Sequence, residues 1–146
     1  MIPSFDAGGN LPPGIHEATW DELMERYGIT EHRVGLLGGL REALGSLRDA
    51  GCRRAYVDGS FVTDKEVPGD FDACWEAVGV DPERLDPELL DFSDGRSAQK
   101  LRYGGELFPA NAIAAPPNTL YLEFFQTNRH TGEPKGIVAI DLGGLR

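Results

Sequence analysis

The chain has 146 residues, a length that predicts one domain with a core large enough to need no disulfide. Its formal net charge is −10, and an acidic chain repels phosphate backbones, which argues against extensive nucleic-acid binding. The sequence has no apolar run long enough for a membrane span, no secretory signal pattern and no Cys-x-x-Cys pair, so we expect a cytoplasmic protein with reduced thiols.

The acidic residues concentrate in one segment. Residues 64–94 hold eleven Asp and Glu residues against Lys65 and Arg84. A charge run of this kind usually faces water. It is also compatible with a basic protein partner or with a metal–nucleotide ligand.

The chain begins with a segment typical of an extended arm. Residues 1–16 contain three prolines and three glycines, and Pro12-Pro13-Gly14 cannot lie inside a helix. We therefore divide the chain into an N-terminal arm over residues 1–16 and a single domain over residues 17–146.

Two helices are predicted next. Thr19 opens a capping-box sequence, which predicts a helix over residues 20–27. Thr30 can cap a second helix through residue 49, with Arg33 among the residues on its exposed faces. Apolar residues recur in this helix at three- and four-residue steps and form one stripe: Val34, Leu37, Leu40, Leu44 and Leu47.

The middle of the chain predicts two strands joined by a polar loop. Residues 53–58 predict a strand with Ala55, Tyr56 and Val57 at its centre, which is followed by Gly59-Ser60, and residues 61–69 contain a Pro-Gly turn signal. Residues 70–76 alternate between polar and apolar side chains, which is typical of a strand with one buried face.

The last part of the chain predicts further helices and strands. A short helix or turn is expected over residues 82–90, a helix over 93–102, a strand over 105–108 and a final strand over 135–142. Residues 118–126 fit a helix, with a strand as the competing interpretation. This order of elements predicts an α/β or α+β domain in which helices pack on a small mixed sheet.

Two aspartates on the second predicted strand point to chemistry. Asp70 and Asp72 would project from the same face, with Cα atoms roughly 6–7 Å apart. Two unpaired carboxylates this close raise each other's pKa, and a divalent cation relieves their repulsion. Hard oxygen ligands suit Mg²⁺.

Gly59-Ser60, nine intervening residues and Asp70-Phe71-Asp72 together resemble the signature of the nucleotidyltransferase superfamily. That superfamily includes DNA polymerase beta, the minimal nucleotidyltransferases and their antitoxin relatives. The resemblance covers about residues 35–110 and implies a nucleotidyltransferase-like fold. With Leu11-Pro12-Pro13-Gly14-Ile15-His16 near its start and Pro134-Lys135-Gly136-Ile137 near its end, the whole chain also looks like an uncharacterised bacterial nucleotidyltransferase-like family. Phe61 departs from the small or basic residue that many minimal nucleotidyltransferases have after Gly-Ser.

The resemblance implies roles for these residues. Asp70 and Asp72 would bind Mg²⁺, or Mn²⁺, that bridges the phosphates of an NTP. Gly59 lets the backbone approach a phosphate, and the Ser60 hydroxyl can donate a hydrogen bond to it. Lys65, in the loop between the two halves of the motif, could reach a phosphate or simply offset neighbouring acids.

A third carboxylate usually sits on a later strand in the superfamily. We select Glu106, because it follows a predicted helix and lies on the next predicted strand. Asp141 and Glu123 are its rivals. Lys135 precedes the last strand and could meet the same cleft. Several aromatic residues could stack on a base, although aromatic residues at such spacings more often belong to a core: Tyr103, Phe108, Phe124 and Phe125.

The leading hypothesis is a Mg²⁺-dependent nucleotidyltransferase that moves a nucleoside monophosphate from an NTP to a hydroxyl on a protein, an RNA end or a small molecule. Asp70, Asp72 and Glu106 are the expected catalytic acids. The alternatives are an antitoxin-like interaction protein, with a partner from a neighbouring gene, that keeps the fold without turnover, and a sensor that binds a nucleotide without transfer.

Overall fold

The structure is a computed structural model that describes residues 1–145, within which there are four α-helices and seven β-strands. The helices are α1 (Trp20–Tyr27), α2 (Glu31–Asp49), α3 (Ser93–Tyr103) and α4 (Tyr121–Phe124). The strands are β1 (Gly14–Ala18), β2 (Arg54–Asp58), β3 (Phe71–Trp75), β4 (Gly105–Pro109), β5 (Ile113–Ala115), β6 (Thr119–Leu120) and β7 (Gly136–Asp141). No helix within residues 1–145 has the length and apolarity needed to cross a membrane.

Five strands form one mixed sheet in the order β1-β7-β2-β3-β4. The three central strands pair antiparallel, and each edge strand runs parallel to its neighbour. The expectation of a mixed α and β fold, with helices packed on a small mixed sheet, is confirmed. The remaining strands, β5 and β6, pair with each other outside this sheet.

The main core lies between one face of the sheet and helices α1 and α2. Both predicted N-caps are present: the Thr19 and Thr30 hydroxyls accept hydrogen bonds from the first turns of α1 and α2. Phe71, Ala73 and Trp75 of β3 point into this core, as the alternation in the sequence predicted.

The predicted apolar stripe of α2 is confirmed except at its first position. Leu37, Leu40, Leu44 and Leu47 are buried, but Val34 is 47% exposed. Arg33, which was expected on an exposed face, is 1% exposed instead. Its guanidinium replaces an apolar side chain there because it meets backbone carbonyl groups of the loop after β2.

A second, smaller apolar cluster covers part of the other sheet face. Residues 110–125 cross this face and contribute Phe125, with Tyr121 and Leu122 beside it. Sheet residues from four strands complete the cluster: Tyr56, Cys74, Phe108, Ile137 and Ala139. The sheet therefore has an apolar covering on both faces.

The structure differs from the predicted elements at several places. Gly14–Ala18, at the end of the predicted arm, pairs with β7 as an edge strand, a long-range pairing that the local sequence does not show. Residues 118–126 divide between strand β6 and the single turn α4. The predicted turn over 82–90 consists of two short 3₁₀ turns.

Helix α3 begins irregularly. Asp94, Gly95 and Arg96 all have left-handed backbone angles, with φ of 50°, 61° and 61°. Left-handed angles are costly for residues with a Cβ atom. This turn directs Arg96 to Glu106, with which it forms an ion pair.

A glycine pair in α2 provides a matched test of the helix packing. A Cβ atom at Gly39 would lie 1.8 Å from the Tyr103 carbonyl oxygen, whereas one at Gly38 would meet nothing within 4 Å. We expect Gly39→Ala to lower the free energy of unfolding by about 1–3 kcal/mol, because α3 must move away. We expect Gly38→Ala to raise it by about 0.5–1 kcal/mol through helix propensity. Urea unfolding of both variants checks this, and equal effects would contradict the close contact.

Candidate active site

Three carboxylates form a row across neighbouring strands. The sheet register pairs Asp58 of β2 with Asp72 of β3, and Asp72 with Glu106 of β4. Residues that pair directly across strands project from the same face, so the three side chains are neighbours. Asp70 lies one residue before β3 and is exposed. The predicted strand face therefore carries Asp72, while Asp70 belongs to the loop that leads into it.

Gly59 is required by the position of Asp72. Its φ of +84° lies in the region that favours glycine. A Cβ atom there would lie 2.7 Å from Asp72 Oδ2. The glycine thus allows the Asp72 carboxylate to lie against the backbone at the end of β2. Ser60 follows as the first residue of a 3₁₀ turn.

The loop between the two halves of the motif is fastened to the start of α2. The Arg33 guanidinium donates hydrogen bonds to the carbonyl oxygens of Phe61 (2.7 Å) and Thr63 (3.0 Å) and to that of Lys65. The His32 imidazole bonds to the carbonyl of Pro68. These contacts give residues 61–68 a fixed path and so fix the position of Asp70.

A cleft of about 430 Å³ opens beside this loop. Its size lies in the range of roughly 300–1,000 Å³ that is typical of small-molecule sites. The structure brings five of the six predicted site residues to its lining: Gly59, Ser60, Lys65, Asp70 and Asp72. Glu106 lies outside it.

The cleft also contains charged residues that the sequence analysis did not select. Asp58 is 3% exposed, and its Oδ1 lies 3.0 Å from Lys135 Nζ. Burial raises the pKa of Asp58, and the ammonium group of Lys135 opposes that shift. Arg129 lines the same cleft. Lys135 was predicted to meet this cleft; the signal for Asp58 is an acid at the end of the strand, directly before Gly59.

Asp72, the middle acid of the row, has a raised pKa. Its pKa is raised to about 6, first by burial and then by the neighbouring carboxylates of Asp58 and Glu106. Lys135 and Arg129 oppose the shift only in part. Within residues 1–145 the Asp72 carboxylate has no ion-pair partner, so no direct ion pair offsets its negative charge.

Glu106 is neutralised by two cations. Its Oε1 lies 2.9 Å from Lys100 Nζ and 3.3 Å from an Arg96 guanidinium nitrogen. Its rivals lie elsewhere. Asp141 lies opposite Arg54 in the sheet register, at the other end of β2, and its side chain caps a turn after β7. Glu123 is exposed and lines another cavity, on the side of the apolar cluster.

The aromatic residues considered for base stacking separate into two groups. Tyr103 is in the main core, and its hydroxyl donates a hydrogen bond to Asp86. Phe108 is stacked on Tyr121, with ring centroids 4.1 Å apart. Phe124 and Phe125 line the cleft.

The carboxylate oxygens of the cleft fit a divalent cation whose other ligands come from a bound substrate. Asp70 and Asp72 contribute hard oxygen atoms to one cleft, and the excess negative charge at Asp72 would be relieved by a cation. Within residues 1–145 no three metal-ligating side chains lie close enough to hold an ion by themselves. Mg²⁺ commonly binds through one or two carboxylates and completes its shell with phosphate oxygens and water.

Comparison with known proteins places the chain in a family. Residues 3–141 match the model of a Family of unknown function (DUF6932). No curated protein and no solved structure matches the chain.

The raised pKa of Asp72 predicts a pH dependence of stability. Between about pH 4 and pH 6 the folded state retains a proton that the unfolded state has released, so folding loses stability as the pH rises through this window. Asp72→Asn removes this loss. Without divalent cations, its free energy of unfolding relative to the wild type should rise by about 2 kcal/mol from pH 4 to pH 7.

Urea unfolding across this pH range, in the presence of a chelator, measures the difference. Glu66→Gln removes an exposed carboxylate from the loop before β3 and is the control for the loss of one negative charge. A stability difference between Asp72→Asn and wild type that does not change with pH would contradict the assignment.

Proposed function

Because the chain belongs to the Family of unknown function (DUF6932), we propose its function from its own cleft: it is a Mg²⁺-dependent nucleotidyltransferase that moves a nucleoside monophosphate from an NTP to a hydroxyl acceptor. One observation carries the proposal. Gly59 and Ser60 follow strand β2, Asp70 and Asp72 lie at the start of the antiparallel strand β3, and all four line the same cleft. This is the arrangement that the resemblance to nucleotidyltransferases implies, and we propose that fold for the domain.

The acidic and the basic residues of the cleft would bind different parts of the ligand. Asp70 and Asp72 would hold the metal ion, which supplies charge neutralisation at the phosphates when bound. Gly59 leaves room for the backbone to approach a phosphate, and the Ser60 hydroxyl can donate to it. Lys65 and Arg129 add positive charge to the same cleft and would orient the triphosphate.

The proposed step is an in-line displacement at the α-phosphorus. The acceptor oxygen forms a bond to this phosphorus and gives its proton to water. The bond from the α-phosphorus to its bridging oxygen breaks, and pyrophosphate leaves with that electron pair. The side chains of the cleft hold the reactants in line and offset the charge that develops on the leaving group.

Loss of either aspartate should weaken binding of a magnesium–nucleotide complex. We expect Asp70→Asn and Asp72→Asn each to weaken binding of Mg²⁺ and a non-hydrolysable ATP analogue by tenfold or more, since each loses a charged oxygen ligand. Isothermal titration calorimetry measures the affinity, and release of pyrophosphate from ATP reports turnover. Glu66→Gln, outside the cleft, should bind like the wild type. Unchanged binding in both aspartate variants would refute the proposed site.

We propose Glu106 as the third acid of the site, restrained by Arg96 and Lys100. Its charge already acts on Asp72, the residue beside it in the sheet. A carboxylate with two cations within 3.3 Å attracts a metal ion less than a free one does.

Two variants of this cluster should therefore change Mg²⁺ affinity in opposite directions. Glu106→Gln removes negative charge next to Asp72 and should weaken Mg²⁺ binding a few-fold. Lys100→Met frees part of the Glu106 charge and should strengthen it a few-fold. Titration with Mg²⁺ in the presence of the ATP analogue measures both. Shifts of the same sign, or no shift in either variant, would exclude Glu106 from the site.

The same cluster favours a second candidate function, in which the cleft binds a nucleotide without transfer. Glu106 is neutralised by its ion pairs with Arg96 and Lys100. If these pairs persist, the cleft residues can still bind Mg²⁺ and a nucleotide, but the third acid that transfer requires is missing. A protein that binds Mg²⁺–ATP and releases no pyrophosphate would support the sensor over the transferase.

A further inference from the structure

We propose that the base of the NTP taken by this cleft stacks on the ring of Phe124. This inference rests on the proposed function, because it specifies the part of the ligand that the acids and cations of the cleft do not recognise.

Phe124 is an aromatic surface in a polar cleft. Among residues 1–145, Phe124 and Phe125 are the apolar side chains of the cleft lining, and the other lining residues are polar or glycine. Phe125 is 6% exposed and belongs to the apolar cluster on the sheet. Phe124 is 37% exposed, so its ring is the one that a ligand in the cleft can cover.

The ring of Phe124 is held in place by inclined neighbours. It meets Tyr121 at 6.4 Å with an interplanar angle of 76°, and Phe125 at 6.0 Å with an angle of 56°. Phe108, in contrast, has parallel rings against it, Tyr121 at 6° and Phe92 at 12°. The described aromatic neighbours of Phe124 thus contact its ring at an angle and do not stack parallel to it. Parallel stacking is the geometry that a nucleobase uses, so the face of the ring is available for a base.

A hairpin connects this ring to the acid row. The backbone N–H of Lys135 donates to the carbonyl of Gln126 (2.9 Å), and that of Asn128 donates to Glu133 (2.8 Å). The side chain of Lys135 then reaches Asp58. A base on Phe124 and a triphosphate beside the acids would therefore be held by one continuous wall of the cleft.

Asn128 supplies a polar group to the same wall. Its Oδ1 accepts hydrogen bonds from the backbone N–H groups of His130 (2.9 Å) and Thr131 (3.3 Å). Because both partners are donors, the oxygen must face them, and Nδ2 remains a donor for a ligand. Asn128 lines the cleft together with Phe124. A donor in the same cleft as an aromatic ring suits the edge of a base, where acceptor atoms are found.

The test compares ligands with and without a base. Affinities for Mg²⁺ with inorganic tripolyphosphate, and for Mg²⁺ with non-hydrolysable ATP and CTP analogues, are measured by calorimetry on the full chain. We expect the wild type to bind the nucleotides more tightly than tripolyphosphate. Phe124→Ala should lower nucleotide affinity by about tenfold and leave tripolyphosphate affinity unchanged. Phe124→Tyr, which keeps the aromatic face, should retain nucleotide affinity, and Phe124→Leu should lose most of it.

Phe92→Ala is the matched control, since Phe92 is 39% exposed, belongs to the same set of rings and lies outside the cleft. It should change neither affinity. The inference is overturned if the wild type binds tripolyphosphate as tightly as nucleotides, if Phe124→Ala affects both kinds of ligand equally or neither, or if Phe92→Ala reproduces its effect. A wild-type protein that binds none of these ligands overturns the proposed function, and this inference with it.

Discussion

The candidate site depends on one buried guanidinium. Arg33 is 1% exposed, and burying a charge is costly unless its polar groups are satisfied. Carbonyl oxygens of residues 61–65 accept hydrogen bonds from its two terminal nitrogens, while Nε is buried without a partner, and the rings of Tyr27 and Phe61 lie 5.7 Å and 5.2 Å from its centre. That loop joins the end of β2 to the start of β3, so a residue on α2 holds the chain that leads to Asp70. The register of β2 and β3 places Asp72 beside Gly59.

The alternation of side chains along the strands explains where the cleft opens. On the sheet face away from α1 and α2, each of three strands carries one apolar residue and, two positions along, one acid: Tyr56 and Asp58, Cys74 and Asp72, Phe108 and Glu106. The register aligns the apolar residues at one end and the acids at the other. Residues 110–125 cover the apolar end, because apolar surface gains from burial. The acidic end is not covered by these residues, and the cleft opens there beside Asp58 and Asp72.

The charges of the acid row are balanced unequally. Asp58 has Lys135, and Glu106 has Arg96 and Lys100, while Asp72 between them has no ion-pair partner within residues 1–145. Burial and its two acidic neighbours therefore act together on Asp72 and raise its pKa. This imbalance lies next to Gly59, at the position where the proposed nucleotide phosphates and their cation would enter. The fold thus concentrates unrelieved negative charge at one carboxylate.

The sequence by itself determined the local features: the two N-caps, the strands on both sides of the motif loop, the mixed α and β fold class, and a set of residues of which five line one cleft. Those features depend on spacing and side-chain type over a few residues, which the chain displays directly. The tertiary structure alone decided the rest. It buried Arg33, added β1 as an edge strand, set Asp58 opposite Asp72, and directed Arg96 and Lys100 to Glu106. These outcomes depend on sheet register and long-range contacts, for which no local pattern in the chain provides a signal.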